Sequence, residues 1–283
     1  MQKPQARFPA LFALALAACM PPSWGAGALL HPGKTVATER SSRPHETLWL
    51  DGSGVRLKGW WFKTAGPRRG AIVYLHGVAD NRGSGASIAD HFVPRGFDVV
   101  AYDSRAHGES EGDACTYGYY EKLDLGRVLD QIAIPGPVVL LGTSLGAAVA
   151  LQAAAQDARV TVVVTVATFS DLRTVAFERA PFFASKGNIE GAFAIAEELA
   201  KFKVDEVSPV LAAAKIKIPV LLLHGEADKE TPSAHSGRVH AALAGPKQLI
   251  LVPHAGHNDS INGSTWPAID AWIEKWIGAK KPD

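Results

Sequence analysis

The chain has 283 residues, 47% of them apolar and 20% charged, enough to bury one large core or two smaller ones. Its 29 basic residues nearly cancel 28 acidic ones without forming a basic stripe, which argues against nucleic acid or another large polyanion as partner.

The N-terminus reads as a targeting segment. Lys3 and Arg7 precede an apolar stretch from Phe8 to Ala18, too short to span a bilayer but shaped like a secretory signal, so residues 1–18 are set apart from the fold. Two processing sites compete behind it. Leu16-Ala17-Ala18-Cys19 resembles the lipobox of bacterial lipoproteins, which would lipidate Cys19 and anchor the protein to a membrane. Ala26-Gly27-Ala28 resembles an ordinary small-x-small site, with cleavage after 28 releasing a soluble chain from about Leu29. Both imply export, to a bacterial periplasm or as an outer-membrane lipoprotein. Loss or lipidation of Cys19 leaves Cys115 without an intrachain disulfide partner. Residues 19–44, rich in Pro, Gly, Ser and Thr and without a sustained period, read as a tether or irregular lead-in.

Structure is expected over 45–283. "ETLWL" and "VRLKGWWFK", separated by Asp51-Gly52-Ser53-Gly54, predict an antiparallel pair of strands. Then come "AIVYLH", "FDVVAYD", "PVVLLG", "VTVVVTVA", "IPVLLLHG" and "QLILVP", continuously apolar runs of the kind found in strands covered on both faces. Helical spacing of Leu125, Val128, Leu129 and Ile132, an alanine-rich run from Ala147 to Ala155, and a stripe of Trp266, Ile269, Trp272, Ile273 and Trp276 supply the cover. This alternation predicts an α/β fold with a mostly parallel central sheet and helices on both faces. From about 171 to 215 the alternation stops, and Phe177, Phe182, Phe183, Phe193 and Phe202 fall on predicted helices. That segment reads either as a short helical cap over the carboxyl edge of the sheet or as a local helical core.

"PVVLLG" runs into Gly142-Thr143-Ser144-Leu145-Gly146, a Gly-x-Ser-x-Gly pattern between a strand and a helix. Flanking glycines allow a turn tight enough to lift the Ser144 hydroxyl above the sheet, and the turn sets the Leu145 N–H at a helix N-terminus, where it can face an oxyanion. A serine hydroxyl needs a base to take its proton and an acid to orient that base. Ten histidines compete for the first role.

"YLHG" at Tyr74–Gly77, "YDSRAHGES" at Tyr102–Ser110, "GTSLG", "HGEAD" and "HAGHND" occur in that order. Together they resemble the α/β-hydrolase superfamily, similar to serine hydrolases of the Bem46 and ABHD type and their exported bacterial relatives, from roughly Glu46 to the C-terminus. The resemblance implies the order serine, acid, histidine, and so Asp228 as orienting acid, His257 as general base and acid, and an acyl-enzyme on Ser144. It also implies Val78 as second oxyanion donor through its backbone N–H, although the His-Gly-Gly-Gly form of some lipases is missing. Asp171 is the rival acid and His254 the rival base; His76, His107 and His224 read as structural, and Asp103 as securing its turn. A metal cluster of His254, His257 and Asp259 would compete with this triad, and the Gly83–Gly85 "GSG" lacks the rest of a phosphate loop.

The implied activity is that of an exported, carboxylesterase-like serine hydrolase acting on a small-molecule acyl ester or thioester without metal or organic cofactor. A serine peptidase or amidase of the same fold is the alternative enzyme, and a non-catalytic envelope binding protein the alternative of another class.

Overall fold

The computed structural model describes residues 21–37, 41 and 43–278. The signal segment and the lipidation site Cys19 lie outside the described residues. Within them the chain forms strands β1 (Glu46–Asp51), β2 (Arg56–Phe62), β3 (Gly70–Leu75), β4 (Phe97–Tyr102), β5 (Val138–Thr143), β6 (Val160–Val166), β7 (Val220–Gly225) and β8 (Lys247–Val252). They make one eight-stranded sheet in the order β1-β2-β4-β3-β5-β6-β7-β8. β1 pairs antiparallel with β2 and β2 with β4, and every later pairing is parallel.

The apolar runs are continuous because successive side chains enter two different cores. Val73 and Leu75 of β3 and Leu140 of β5 face Leu125, Val128, Leu129 and Ile132 of a helix at Glu121–Ile132. Ile72, Tyr74, Val139 and Leu141 face the other way, onto Ile88 and Phe92 of a helix at Gly85–Phe92 and Ile269, Trp272 and Ile273 of a helix at Trp266–Ile277. The C-terminal stripe read from the sequence is therefore core.

The N-terminal segment differs from the expected tether. Pro22–Leu30 is a helix, α1, with Ala26 and Leu30 fully buried. Its sequence, PSWGAGALL, carries almost no amphipathic signal, and tertiary packing sustains it instead. Pro22 occupies the first turn, where a missing N–H costs nothing. Small residues then let α1 press against the helix at Lys186–Ala200: a Cβ on Gly25 would stand 2.9 Å from Ala192 Cβ, and one on Gly191 3.0 Å from Pro22 Cβ. Two bonds tie its end to the body, Cys115 N–H to Leu30 O at 2.8 Å and Tyr117 Oη to Leu29 O at 3.0 Å. The processing site after Ala28 thus falls inside a packed helix.

With α1 in place, the remaining helices are α2 (Gly85–Phe92), α3 (Glu121–Ile132), α4 (Leu145–Ala154), α5 (Leu172–Arg179), α6 (Lys186–Ala200), α7 (Pro209–Ala213), α8 (Ala234–Ala242) and α9 (Trp266–Ile277). Helices α5 to α7 fill the segment where the strand alternation stops. Its phenylalanines divide: Phe193 and Phe202 join α1 in a third apolar cluster, whereas Phe182 is fully exposed. Among the described residues no helix is long and apolar enough to cross a membrane.

Candidate active site

The elbow after β5 is built from its neighbours' closeness. A Cβ on Gly146 would run into the Leu75 carbonyl, and one on Gly142 into the Gly146 carbonyl, so only glycine fits either place. Between them Ser144 takes φ 51° and ψ −109°, a left-handed conformation that a side chain adopts only under constraint. The constraint includes a bond from Ser144 N–H to Val166 O at 2.8 Å.

Ser144 Oγ lies 3.0 Å from His257 Nε2, and His257 Nδ1 lies 2.7 Å from Asp228 Oδ2. A carboxylate accepts, so the imidazole proton sits on Nδ1 and Nε2 is left to accept from the serine hydroxyl. The loops carrying the two downstream residues are pinned together: Glu226 N–H donates to Val252 O and Ala227 N–H to Ala255 O, each at 3.0 Å. Gly225 permits that contact, since a Cβ there would strike the Ala255 carbonyl.

Asp228 is held by more than its histidine. Oδ1 accepts from the N–H groups of Glu230 and Thr231, both at 2.9 Å, and Oδ2 lies 3.2 Å from His224 Nε2. Burial works to raise its pKa, but the hydrogen bonds from His224, His257 and Thr231 outweigh that and hold the carboxyl well below the usual range. His224 Nε2 also donates to Thr231 O at 2.7 Å, which fixes its proton on that nitrogen and leaves Nδ1 to accept from Ser236 Oγ at 2.6 Å. The sequence marked His224 as structural. Its contact with Asp228, and the Glu230 and Thr231 amides, had no signal beyond their place after "LHGEAD".

The two expected oxyanion donors border Ser144. Leu145 opens α4, so its N–H has no intrahelical acceptor. Val78 follows Gly77, whose Cβ position would lie 3.7 Å from Ser144 Cβ, so the loop after β3 runs beside the hydroxyl.

Neither rival residue takes part in the hydrogen bonds that join Ser144, His257 and Asp228. Asp171 caps α5, accepting from Thr174 N–H at 2.8 Å. His254 is exposed, and the histidine that bonds to Ser144 is His257. Among the described residues no group of three histidines, cysteines or carboxylates could hold a metal ion, so His254, His257 and Asp259 do not form one. His76 donates from Nδ1 to Gly77 O at 2.7 Å and accepts at Nε2 from Ser104 N–H at 2.9 Å. Asp103 accepts from the Arg82 and Glu109 N–H groups and pairs with the Arg82 guanidinium, securing its turn. Cys115 is a buried free thiol whose pKa burial pushes up.

A second serine, histidine and carboxylate set joins the cap to α8. His235 Nε2 lies 2.6 Å from Glu178 Oε2, and His235 Nδ1 lies 2.9 Å from Ser170 Oγ. Nδ1 also accepts from Ser170 N–H at 3.0 Å and from Arg238 at 2.7 Å, while Ser170 Oγ donates to Asp171 at 2.8 Å.

Known proteins resemble this chain over most of its length. The prolyl oligopeptidase family matches residues 130–280, more than half of the chain, and the serine aminopeptidase S33 family matches residues 66–190. The uncharacterized protein YfhR of Escherichia coli O157:H7 is 29% identical over 74% of this chain and 72% of its own length. Mouse mitochondrial palmitoyl-protein thioesterase ABHD10 is 27% identical over 82% of this chain and 87% of its own. Among solved structures, the Pyrococcus furiosus esterase Pf2001 superposes with a TM-score of 0.71 at 20% identity, covering 88% of this chain and all of that one.

Proposed function

The chain belongs to the α/β-hydrolase superfamily of serine hydrolases, and on that premise we propose that it cleaves carboxylic ester or thioester bonds through an acyl-enzyme on Ser144. The observation that carries this reading is the chain of hydrogen bonds from Ser144 Oγ through His257 to Asp228. His257 Nε2 takes the hydroxyl proton as Oγ attacks the acyl carbon, and the Val78 and Leu145 N–H groups receive the oxyanion. The protonated imidazole then passes its proton to the departing alcohol or thiol, and water repeats the sequence to release the acid. Asp228 keeps the imidazole in the productive tautomer and stabilises its positive form.

The esterase and thioesterase among the similar proteins favour ester cleavage. A peptidase of the same mechanism is favoured by the two peptidase families that match, and the leaving group distinguishes the readings. Export remains part of the proposal on the strength of Lys3, Arg7 and the apolar stretch behind them.

Labelling with a fluorophosphonate probe, beside hydrolysis of p-nitrophenyl esters, acyl thioesters and a peptide panel, tests the proposal. Ser144→Ala is expected to abolish labelling and lower kcat/KM on the order of 10⁴- to 10⁶-fold. Labelling that survives the substitution sinks the nucleophile assignment, and turnover confined to peptides reverses the choice of bond.

A further inference from the structure

Between α1 and the cap lies an apolar cavity of about 280 Å³. Phe169, Leu172 and Val175 form one side, Ile189 and Phe193 of α6 another, and Gly25 and Ala28 of α1 a third. The Tyr117 phenol that reaches the cavity is satisfied by Leu29 O at 3.0 Å, and among the described residues Arg179 is the only charged one in the lining.

Two residues of the lining are linked to the groups that hold Ser144 and Asp228. Phe169 stands three residues beyond Val166, whose carbonyl holds the Ser144 N–H at 2.8 Å. Arg179 donates to Glu230 O at 2.9 Å and to Thr231 Oγ1 at 2.6 Å, and Thr231 N–H in turn holds Asp228. The cavity is therefore bracketed by the strand end beside the nucleophile and the loop that carries the acid. No triad residue lines it.

Resting on the acyl-enzyme reading, we propose that this cavity receives the distal carbons of an aliphatic acyl chain of about eight to twelve carbons, and that α1 is a wall of that specificity pocket. The volume allows this: an apolar cavity of ~150 Å³ takes a six-carbon benzene ring, so one nearly twice as large has room for all the distal carbons of such a chain. Because the triad stands outside, the carbons next to the scissile carbonyl do not enter. Selectivity between acetyl and butyryl groups is accordingly weak, and it grows once the chain reaches the lining.

The test is a p-nitrophenyl ester series from C2 to C16 on the full chain, with Ala28→Phe and Ala176→Phe filling the cavity from α1 and from α5, and Ile189→Ala enlarging it. The wild type is expected to gain about 2- to 4-fold in kcat/KM per methylene between C4 and about C10, as burial of a methylene predicts. Each filling variant should lose at least tenfold on the C10 ester and stay within twofold on acetate, and Ile189→Ala should move the optimum to longer chains. Profiles unchanged in all three variants overturn the pocket. Decanoate binding to Ser144→Ala protein, measured by calorimetry with and without the filling substitutions, reads the cavity without turnover. Binding that is lost on filling upholds it even where no ester is hydrolysed, an outcome that would instead defeat the acyl-enzyme reading. Binding unchanged by filling overturns the pocket. An exported chain whose intact mass begins at Leu29 lacks most of α1 and overturns its assignment as a wall.

Discussion

At Ser144 the imidazole presents a proton-free Nε2 to the hydroxyl, whereas at Ser170 the facing nitrogen, His235 Nδ1, is already taken by the Ser170 N–H and by Arg238. Both sets contain a serine, a histidine and a carboxylate within hydrogen-bonding reach. They differ in what else surrounds the hydroxyl. Ser144 Oγ is committed to His257, while Ser170 Oγ gives its proton to Asp171 and accepts from Arg238. Ser170 and His235 are completely buried. The second set is a clasp between cap and body. A base works only where its lone pair is unoccupied until the nucleophile offers a proton.

The sharpest way to break this distinction is to exchange one carboxylate for an amide in each set. Asp228→Asn should lower kcat on the order of 10⁴-fold with little change in KM, by letting His257 adopt the wrong tautomer. Glu178→Gln should leave kcat within about threefold and lower stability by ~1 kcal/mol, the scale of one hydrogen bond. Steady-state kinetics on one ester and thermal melts of both variants read the two effects, and comparable losses of kcat would erase the difference.

A smaller effect concerns a buried histidine outside the Ser144 set. His107 donates from Nδ1 to Arg105 O at 2.9 Å, and its buried Nε2 has no partner. Burial, and then the neighbouring His76, push its pKa down to about 4 from 6.5. The unfolded chain therefore takes up a proton below pH 6.5 that the folded one refuses. Stability contributed by the neutral ring is intact above that value and falls as the pH drops to about 4, by on the order of 2–3 kcal/mol in all. Melts between pH 7 and 4 should show a shallower decline for His107→Gln than for the wild type. Parallel curves would remove His107 from the account.

Most of the sheet was legible because strands buried on both faces must be apolar at every position, and "AIVYL", "VVLLG" and "VLLLHG" are β3, β5 and β7 almost residue for residue. The residues around Ser144 were legible for another reason. Gly142, Gly146 and Gly225 stand where carbonyls approach too closely for a side chain, so the motifs record backbone geometry that a sequence can display. The Ser170 clasp is assembled from positions 170, 171, 178, 235 and 238, and no local pattern links them. Helix α1 looks irregular in sequence because Pro, Gly and Trp in a short segment lack helical periodicity, and its partners are Ala192 and Gly191, far along the chain. The cavity that α1 walls was hidden with it.

The backbone of Ser144 also has a price in heat resistance. At φ 51° a glycine would sit without the strain that a Cβ brings, so Ser144→Gly relaxes that turn while removing its hydroxyl. That inert variant should melt above the active chain, by the equivalent of about 1 kcal/mol. Selection for heat resistance acting at that position alone would therefore discard the hydroxyl.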